Sequence, residues 1–382
     1  MRVQSAVIDF VFPPPFPEPI ADSTLGPFCD FPIGFLQVHC EEIVGHGVVP
    51  VSQSARSLTE EVFFPLLWEC EIEDVSSVES FWSLAWKRIR NMGPGLTLSV
   101  LSGIDAALWD IISKRANQPL YRMLGGTRNR IACYATNGWV NYNLPRLISE
   151  LEKTVARGFQ TIKMKVGVNQ GTLMEEDVRR VKAVRRALGE SIKIAVDGNQ
   201  CWTVEEALQF ARAIAGENIL WFEEPIPAHD FFGYQRLVKE SPISIAAGES
   251  LYEDLEYLTF LKLAGVAIVQ PYACTVGGIT PFRRAVRIAA DAGTRLTTGD
   301  FSPMTCSLVA AAPTGFLTEY AIPALDTFTP LLQQQPEVIN GEFHLLETPG
   351  HGMVPDFEMA KKYSRGAPLR LKPGVPVAIQ VF

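Results

Sequence analysis

The sequence has 382 residues, of which 47% are hydrophobic, so the chain is long enough for a large core and more than one domain. Its 42 acidic residues outnumber its 34 lysines and arginines and give a formal net charge of −8. This balance excludes the basic surface that nucleic-acid-binding proteins use, so we expect no nucleic-acid partner.

The seven cysteines are scattered and form no CxxC pair, which argues against both a zinc site and a disulfide framework. The N-terminus is not a convincing signal peptide, and we find no apolar stretch of transmembrane length. We therefore expect a cytoplasmic protein with reduced thiols and no membrane partner.

Residues 1–125 have the mixed character of an α+β domain. The segment Gly34–Glu42 is predicted as a strand, and Val100–Asn117 as a helix because apolar residues recur along it at i, i+3, i+4 and i+7. A flexible loop is predicted over Val51–Ser57.

In residues 126–344, short apolar runs alternate with amphipathic segments, which is the pattern of consecutive βα units. The predicted strands are Thr161–Val166, Ile192–Val196, Ile219–Phe222, Ile243–Ala247, Val266–Gln270, Leu296–Thr298 and Phe316–Thr318. These units predict a parallel barrel rather than a doubly wound sheet, because no Gly-rich phosphate loop follows an early strand.

Helix starts are predicted between these strands. Thr172 with Glu175, and Thr203 with Glu206, have the spacing of capping boxes, and Pro281 suits the first position of a helix. Residues 345–382 are rich in proline and glycine and are expected to return to the N-terminal domain.

Acidic residues follow three consecutive predicted strands. Asp197, Glu223 and Glu249 are spaced at equal intervals of 26 residues. Because active sites of parallel barrels form where the strands end, these carboxylates are expected to converge there. Three oxygen ligands on neighbouring strands suit a hard cation such as Mg²⁺.

Lys163 and Lys165 lie two residues apart on a predicted strand, so both point the same way. The alternating residues Ile162, Met164 and Val166 are apolar and suit the side that faces the helices, which places both lysines inside the barrel. There, crowding by each other and by a metal should lower a lysine pKa towards neutrality, as a general base requires. The other polar residues at predicted strand ends are Asn199, Tyr272, Asp300 and Glu319.

Five segments together resemble the enolase superfamily, and more narrowly its mandelate racemase/muconate lactonizing enzyme subgroup. They are KMK (163–165), VDGNQ (196–200), WFEEP (221–225), AAGES (246–250) and GIDAALWDIISKRANQPLYRMLGG (103–126). The resemblance implies an α+β capping domain over a (β/α)₇β barrel, a modified TIM barrel. It also implies a homo-oligomer, either a dimer or an octamer.

The same resemblance implies roles for the site residues. Mg²⁺ would be bound by Asp197, Glu223 and Glu249, and it would hold the carboxylate of a small substrate. Lys165 would remove the α-proton to give an enediolate, with Lys163 beside it holding the carboxylate. Glu319 matches an acid that hydrogen-bonds the substrate, and Asn199 is expected to contribute to substrate binding.

The sequence departs from the subgroup at the histidine–aspartate pair that forms its second base. The aspartate position is Tyr272 and the histidine position is Gly299, and none of the five histidines falls there. Tyr272, Asp300 or Cys274 could substitute, whereas His229 is expected to be a surface residue. The intact lysine side favours a one-base reaction, dehydration of an acid sugar or hydroxy acid. A racemase, epimerase or cycloisomerase, and a binding protein that has lost turnover, are the alternatives.

Overall fold

The computed structural model describes residues 1–374, which form a capping domain and a parallel barrel. The capping domain begins with three antiparallel strands, β1 (Ser5–Val11), β2 (Ile33–Cys40) and β3 (Ile43–Pro50). Its helices are α1 (Gln53–Ser57), α2 (Phe64–Leu67), α3 (Val75–Ile89), α4 (Leu96–Arg115) and α5 (Leu120–Met123), with a π-helix at Leu58–Phe63 between the first two.

Eight parallel strands close into the barrel, and the last strand pairs with the first. They are β4 (Arg130–Thr136), β5 (Thr161–Lys165), β6 (Lys193–Asp197), β7 (Ile219–Glu223), β8 (Ile245–Ala247), β9 (Ile268–Val269), β10 (Arg295–Thr298) and β11 (Gly315–Ala321). Each of the seven predicted strands overlaps one of these. The first strand, β4, was not predicted, and it is the strand that lets the barrel close.

Helices connect the barrel strands, as right-handed parallel crossovers require. They are α6 (Leu144–Ala156), α7 (Met174–Leu188), α8 (Val204–Ala213), α9 (Phe231–Glu240), α10 (Asp254–Leu263), α11 (Ala273–Val276), α12 (Ile279–Asp291) and α13 (Ser302–Ala311), with a 3₁₀ turn at Ala215–Glu217. The expected (β/α)₇β architecture under an α+β capping domain is therefore confirmed.

The chain after the barrel contains short elements. They are α14 (Ala324–Phe328), a 3₁₀ turn at Thr329–Leu331, β12 (Glu337–Ile339), β13 (Glu342–His344), α15 (Phe357–Lys361) and β14 (Leu369–Leu371). Strand β14 pairs antiparallel with β1, so this segment returns to the capping sheet. The domain boundaries 1–125, 126–344 and 345–382 stay predictions, and residues 375–382 lie outside the described part of the chain.

Three local predictions were wrong. Val51–Ser57 is not a flexible loop, because the Ser52 hydroxyl accepts the Ala55 N–H at 3.0 Å and caps helix α1. Thr172 does not cap α7; its hydroxyl donates to the Asn169 carbonyl at 2.7 Å. Helix α12 begins two residues before Pro281. The capping box of Thr203 and Glu206 is confirmed.

Helix α4 is the buried core helix of the capping domain. It has the length and mean hydropathy, 1.4, of a membrane span, contrary to the expectation that no such stretch exists. However, 89% of that apolar window is buried inside the protein, where α4 packs against β3. Core helices of this kind pass the same test of length and composition.

Polar contacts from α4 join the capping domain to other parts of the chain. Asp105 accepts the Thr280 N–H at 2.9 Å and the Thr280 hydroxyl at 2.6 Å, which fixes the start of α12. Asp110 accepts the His46 N–H and the His351 N–H, both at 3.0 Å. Because these carboxylates are buried and bonded, they fix the position of the barrel helix and of the C-terminal segment.

Backbone packing between β3 and α4 requires glycine. A Cβ atom at Gly47 would overlap the Gly103 carbonyl oxygen, so Gly47→Ala should lower the free energy of unfolding by about 1–3 kcal/mol. Gly216→Ala is the matched control, because a Cβ there meets no atom within 4 Å. Urea denaturation followed by fluorescence measures both, and equal midpoints would contradict the close approach.

Candidate active site

The C-terminal ends of four neighbouring barrel strands bring the candidate residues to one height. Lys165 pairs in register with Asp197, and Asp197 with Glu223. Glu249 follows the next strand, β8, after Gly248. The alternation of β5 turns Lys163 and Lys165 into the barrel, as their contacts with residues on other strands show.

Each lysine forms ion pairs with the carboxylates. Lys163 Nζ contacts a carboxylate oxygen of Glu223, and lies 3.1 Å from Glu319 Oε1 and 3.2 Å from Asp197 Oδ2. Lys165 Nζ lies 2.6 Å from the same Asp197 oxygen. Both ammonium groups are buried, and both are therefore compensated by direct contact with anions.

The lysine pKa values shift in the direction opposite to our expectation. Burial alone would lower the pKa of Lys163, but Glu223 and Glu319 outweigh it and raise that pKa well above its usual range. Burial also acts on Lys165, and Asp197 outweighs it, so the pKa of Lys165 is raised. In this arrangement the nearest neighbours of each lysine are carboxylates, which raise the pKa, whereas the expected lowering depends on a bound metal and stays a prediction.

The site holds more carboxylates than ammonium groups. Burial and then neighbouring charges raise the pKa of Glu223 and of Glu249 to about 8. Asp197 behaves differently: burial would raise its pKa, but Lys165 and Lys163 hold it well below its usual range. Two lysines are therefore too few to compensate all the buried carboxyl groups, so Glu223 and Glu249 would keep their protons near neutral pH unless a further cation is bound.

Three buried side-chain oxygens near the strand ends have no hydrogen-bond partner among the described residues. They are Asn199 Oδ1, Glu224 Oε1 and Gln270 Oε1. Oxygen acceptors combined with more carboxyl groups than the lysines compensate form the donor set that a hard divalent cation takes. Within residues 1–374, however, no three acidic, histidine or cysteine side chains are already gathered tightly enough to hold a metal ion. Instead, the lysines contact Asp197 and Glu223.

Several residues that support these carboxylates were not predicted. Trp221 Nε1 and Gln270 Nε2 each donate to Glu223 Oε2 at 2.9 Å. Gln200 Nε2 donates to Glu224 Oε2 at 2.7 Å, and the Thr136 hydroxyl donates to Glu319. Period-two alternation could have identified Trp221, because it precedes Glu223 by two residues and shares its face of the strand.

Tyr272 occupies the space beside Gly299. The Tyr272 hydroxyl donates to Glu319 Oε2 at 3.0 Å, and burial followed by the charge of Glu249 raises the pKa of Tyr272 well above its usual range. A Cβ atom at Gly299 would overlap Glu319 Oε2 and lie 2.5 Å from the Tyr272 hydroxyl oxygen. This packing leaves no room for a histidine at position 299.

Asp300 and Cys274, the other proposed substitutes, do not line the cavity that contains the lysines. Asp300 accepts the Cys274 N–H at 3.0 Å and lines a different cavity from the lysines. His229 lies 3.7 Å from Glu256 with a largely exposed side chain, as expected for a surface residue. The structure therefore brings Tyr272, and neither Asp300 nor His229, to the lysine–carboxylate cluster.

A cavity of about 780 Å³ opens above these residues. Its barrel side includes Lys163, Lys165, Asn199, Glu249, Tyr272 and Glu319. Its other side is formed by Trp139 and by the capping-domain segment 22–31. The Ser23 hydroxyl donates to the Gly198 carbonyl at 2.6 Å, which ties that segment to the end of β6. The cavity is thus charged on one wall and largely apolar on the other.

Family models match both parts of the chain. The model described as mandelate racemase/muconate lactonizing enzyme, N-terminal domain, matches residues 15–125. The model described as enolase C-terminal domain-like matches residues 146–360.

Individual proteins and a solved structure are also similar to this chain. The chain is 30% identical over 357 residues to a 3,6-anhydro-alpha-L-galactonate cycloisomerase from Streptomyces coelicolor. The aligned region covers 92% of this chain and 97% of that relative. It is 32% identical to an arabinonate dehydratase from Saccharolobus solfataricus, and the aligned region covers 79% of this chain and 81% of that relative. A crystal structure of a racemase from Streptomyces coelicolor A3(2) with bound magnesium has a TM-score of 0.88 at 28% identity, and covers 95% of this chain and 100% of that one.

The contact between Gly299 and the Tyr272–Glu319 pair can be tested with a double-mutant cycle. Gly299→Ala should lower the free energy of unfolding by about 1–3 kcal/mol, because its Cβ displaces that pair. The double variant Gly299→Ala/Tyr272→Phe should lose less free energy of unfolding than the two single variants lose in sum, and the difference should be about 0.5 kcal/mol or more.

Gly216→Ala combined with Tyr272→Phe is the control. It should be additive, because Gly216 lies before the first residue of β7, at the other end of the barrel. Additivity in both cycles, measured by urea denaturation, would contradict the packing described for Gly299.

Proposed function

This chain belongs to the mandelate racemase/muconate lactonizing enzyme family of the enolase superfamily, and from that premise we propose that it is a magnesium-dependent enzyme that removes the proton next to a carboxylate. The observation that carries the proposal is the cluster of two buried lysines and four carboxylates, Asp197, Glu223, Glu249 and Glu319, at the end of the barrel. The proposed reaction is dehydration of an acid sugar or another hydroxy acid.

We assign Asp197, Glu223 and Glu249 as the residues that would hold Mg²⁺. The excess of carboxylates and the unpartnered Asn199 Oδ1 support this assignment, because such oxygens suit a hard cation. When bound, Mg²⁺ would neutralise the charge that develops on the substrate carboxylate during proton removal. The carboxylates would then exchange part of their contact with the lysines for contact with the ion.

Lys165 is the proposed base. Its contact with Asp197 favours the ammonium form, so Lys165 would act as a base once the charge of Asp197 is taken up by a cation. The neutral Nζ would then accept the α-proton, and the electrons of the broken C–H bond would form the enediolate. Lys163 and Glu319 would hold the substrate carboxylate; Lys163 Nζ lies 3.1 Å from Glu319 Oε1. Asn199 would contribute a further polar contact. The same Lys165 would return the proton to the β-hydroxyl as it leaves, so water departs from the face on which the proton was taken.

A one-base reaction suits the packing at position 299. A two-base racemase needs a second base on the opposite face of the substrate, and the overlap predicted for a Cβ at Gly299 leaves no room for the usual histidine. An epimerase or cycloisomerase that uses Tyr272 as the second acid is the alternative. The hydrogen bond between Tyr272 and Glu319 favours Tyr272 over Asp300 in that role.

The cellular setting is also proposed. All seven cysteines lie among the described residues and are free thiols, which supports a reducing, cytoplasmic location. A dimer or octamer stays a prediction that rests on the family resemblance.

Lys165→Met should abolish proton removal. With Mg²⁺ and a library of acid sugars and hydroxy acids in D₂O, the wild-type protein should exchange the α-proton and form 2-keto-3-deoxy acids. The variant should be slower by about 10²- to 10⁴-fold, as expected for loss of a general base. NMR measures the exchange, and the exposed Lys182→Met is the matched control.

Inversion at Cα without loss of water would instead support the epimerase alternative. Wild-type protein that exchanges no acid in the library would support a binding protein that has lost turnover.

Glu249→Gln should weaken Mg²⁺ binding about tenfold or more, because one anionic ligand becomes neutral. Titration calorimetry with MgCl₂ and no substrate measures this affinity. Glu190→Gln, at an exposed glutamate before β6, should leave the affinity unchanged. Equal affinities for Glu249→Gln and the wild-type protein would remove Glu249 from the ligand set.

A further inference from the structure

A second cavity of about 450 Å³ adjoins the lysine–carboxylate cavity. We call it the apolar cavity. Its walls include Ile33, Val48 and Val49 from the capping domain and Phe301, Leu325 and Phe328 from the barrel end. Phe31, Tyr272 and Ala321 line both cavities. The two cavities are therefore neighbours that share these three wall residues.

Four of the polar side chains that line the apolar cavity have partners within the protein. The Ser102 hydroxyl donates to the Ser99 carbonyl at 2.8 Å, and the Thr327 hydroxyl to the Ala324 carbonyl at 2.9 Å. Tyr272 donates to Glu319, and Asp300 accepts the Cys274 N–H. A sugar chain placed here would exchange its hydrogen bonds to water for few bonds to protein, which disfavours binding.

The shared wall is also suited to apolar contact. Phe31 is 48% exposed, and its ring packs 5.0 Å from Phe28 and 5.7 Å from Phe16, measured between centroids. Phe28 in turn packs edge-on against Trp139, whose ring lies 5.6 Å from Lys165 Nζ. An aromatic surface thus runs from the proposed base to the border of the apolar cavity.

We infer that the substrate is a hydroxy acid whose part distant from the carboxylate is an alkyl or aryl group, and that this group binds in the apolar cavity. The inference rests on the proposed function and narrows its substrate class. Because each buried methylene favours binding whereas each unpartnered hydroxyl opposes it, the cavity should select against fully hydroxylated acids.

Two six-carbon acids provide the test, because they share the α- and β-hydroxyls and differ only in the hydroxyls on C4 to C6. With Mg²⁺ present, 2,3-dihydroxyhexanoate should bind about tenfold or more tightly than gluconate by calorimetry, a ratio typical of apolar pockets. Ala324→Phe places a ring in the apolar cavity and should remove this preference, because Ala324 lines only that cavity. Ala290→Phe, at a half-buried alanine on α12, is the matched control and should keep the preference.

The outcomes separate the two proposals. Gluconate bound as tightly as 2,3-dihydroxyhexanoate, or a preference that survives Ala324→Phe, overturns the inference about the substrate and leaves proton removal untouched. A preference that disappears in Ala324→Phe supports the inference, even if NMR in D₂O detects no exchange of the α-proton. In that last case the proposed reaction fails, whereas the apolar cavity retains its assigned ligand.

Discussion

The site depends on balancing buried charge at the end of the barrel. Asp197, Glu223 and Glu319 are buried together, and isolated carboxylates at such positions would be strongly unfavourable. Lys163 compensates all three at once because it projects from β5 into the barrel. Trp221 and Gln270 then fix the second oxygen of Glu223. The charges are thus held in place before any ligand arrives, which is the preorganisation that electrostatic catalysis requires.

The parts of the fold that could be predicted are those governed by local patterns. The alternation of residues along Thr161–Val166 correctly predicted that both lysines point into the barrel. The capping box at Thr203 correctly predicted the start of a helix. The carboxylates at 197, 223 and 249 could be grouped because parallel strands end at one edge. These inferences needed only the periodicity of strands and the chemistry of helix ends.

The failures have physical reasons of another kind. The pKa of Lys165 depends on which charges lie within a few ångströms, and the sequence did not show that Asp197 would contact it directly. Strand β4 was missed because arginine begins it and only tertiary pairing with β11 and β5 identifies it. The role of Gly299 is set by Tyr272, which lies on another strand end and fills the space of its missing side chain.

The pairing of β14 with β1 has a consequence for how the chain is made. Ala6 lies opposite Leu371, so an edge of the first strand to leave the ribosome lacks its neighbour until nearly all of the described chain has been synthesised. Open strand edges can pair with other chains. The polar residues Asp9 on β1 and Gln37 on β2, whose side chains are joined by a hydrogen bond, lie on this sheet, which must not pair with other chains during that interval. During synthesis from the N-terminus, the edge of β1 therefore stays unpaired for longer than the edges of the barrel strands, which gain their neighbours one after another.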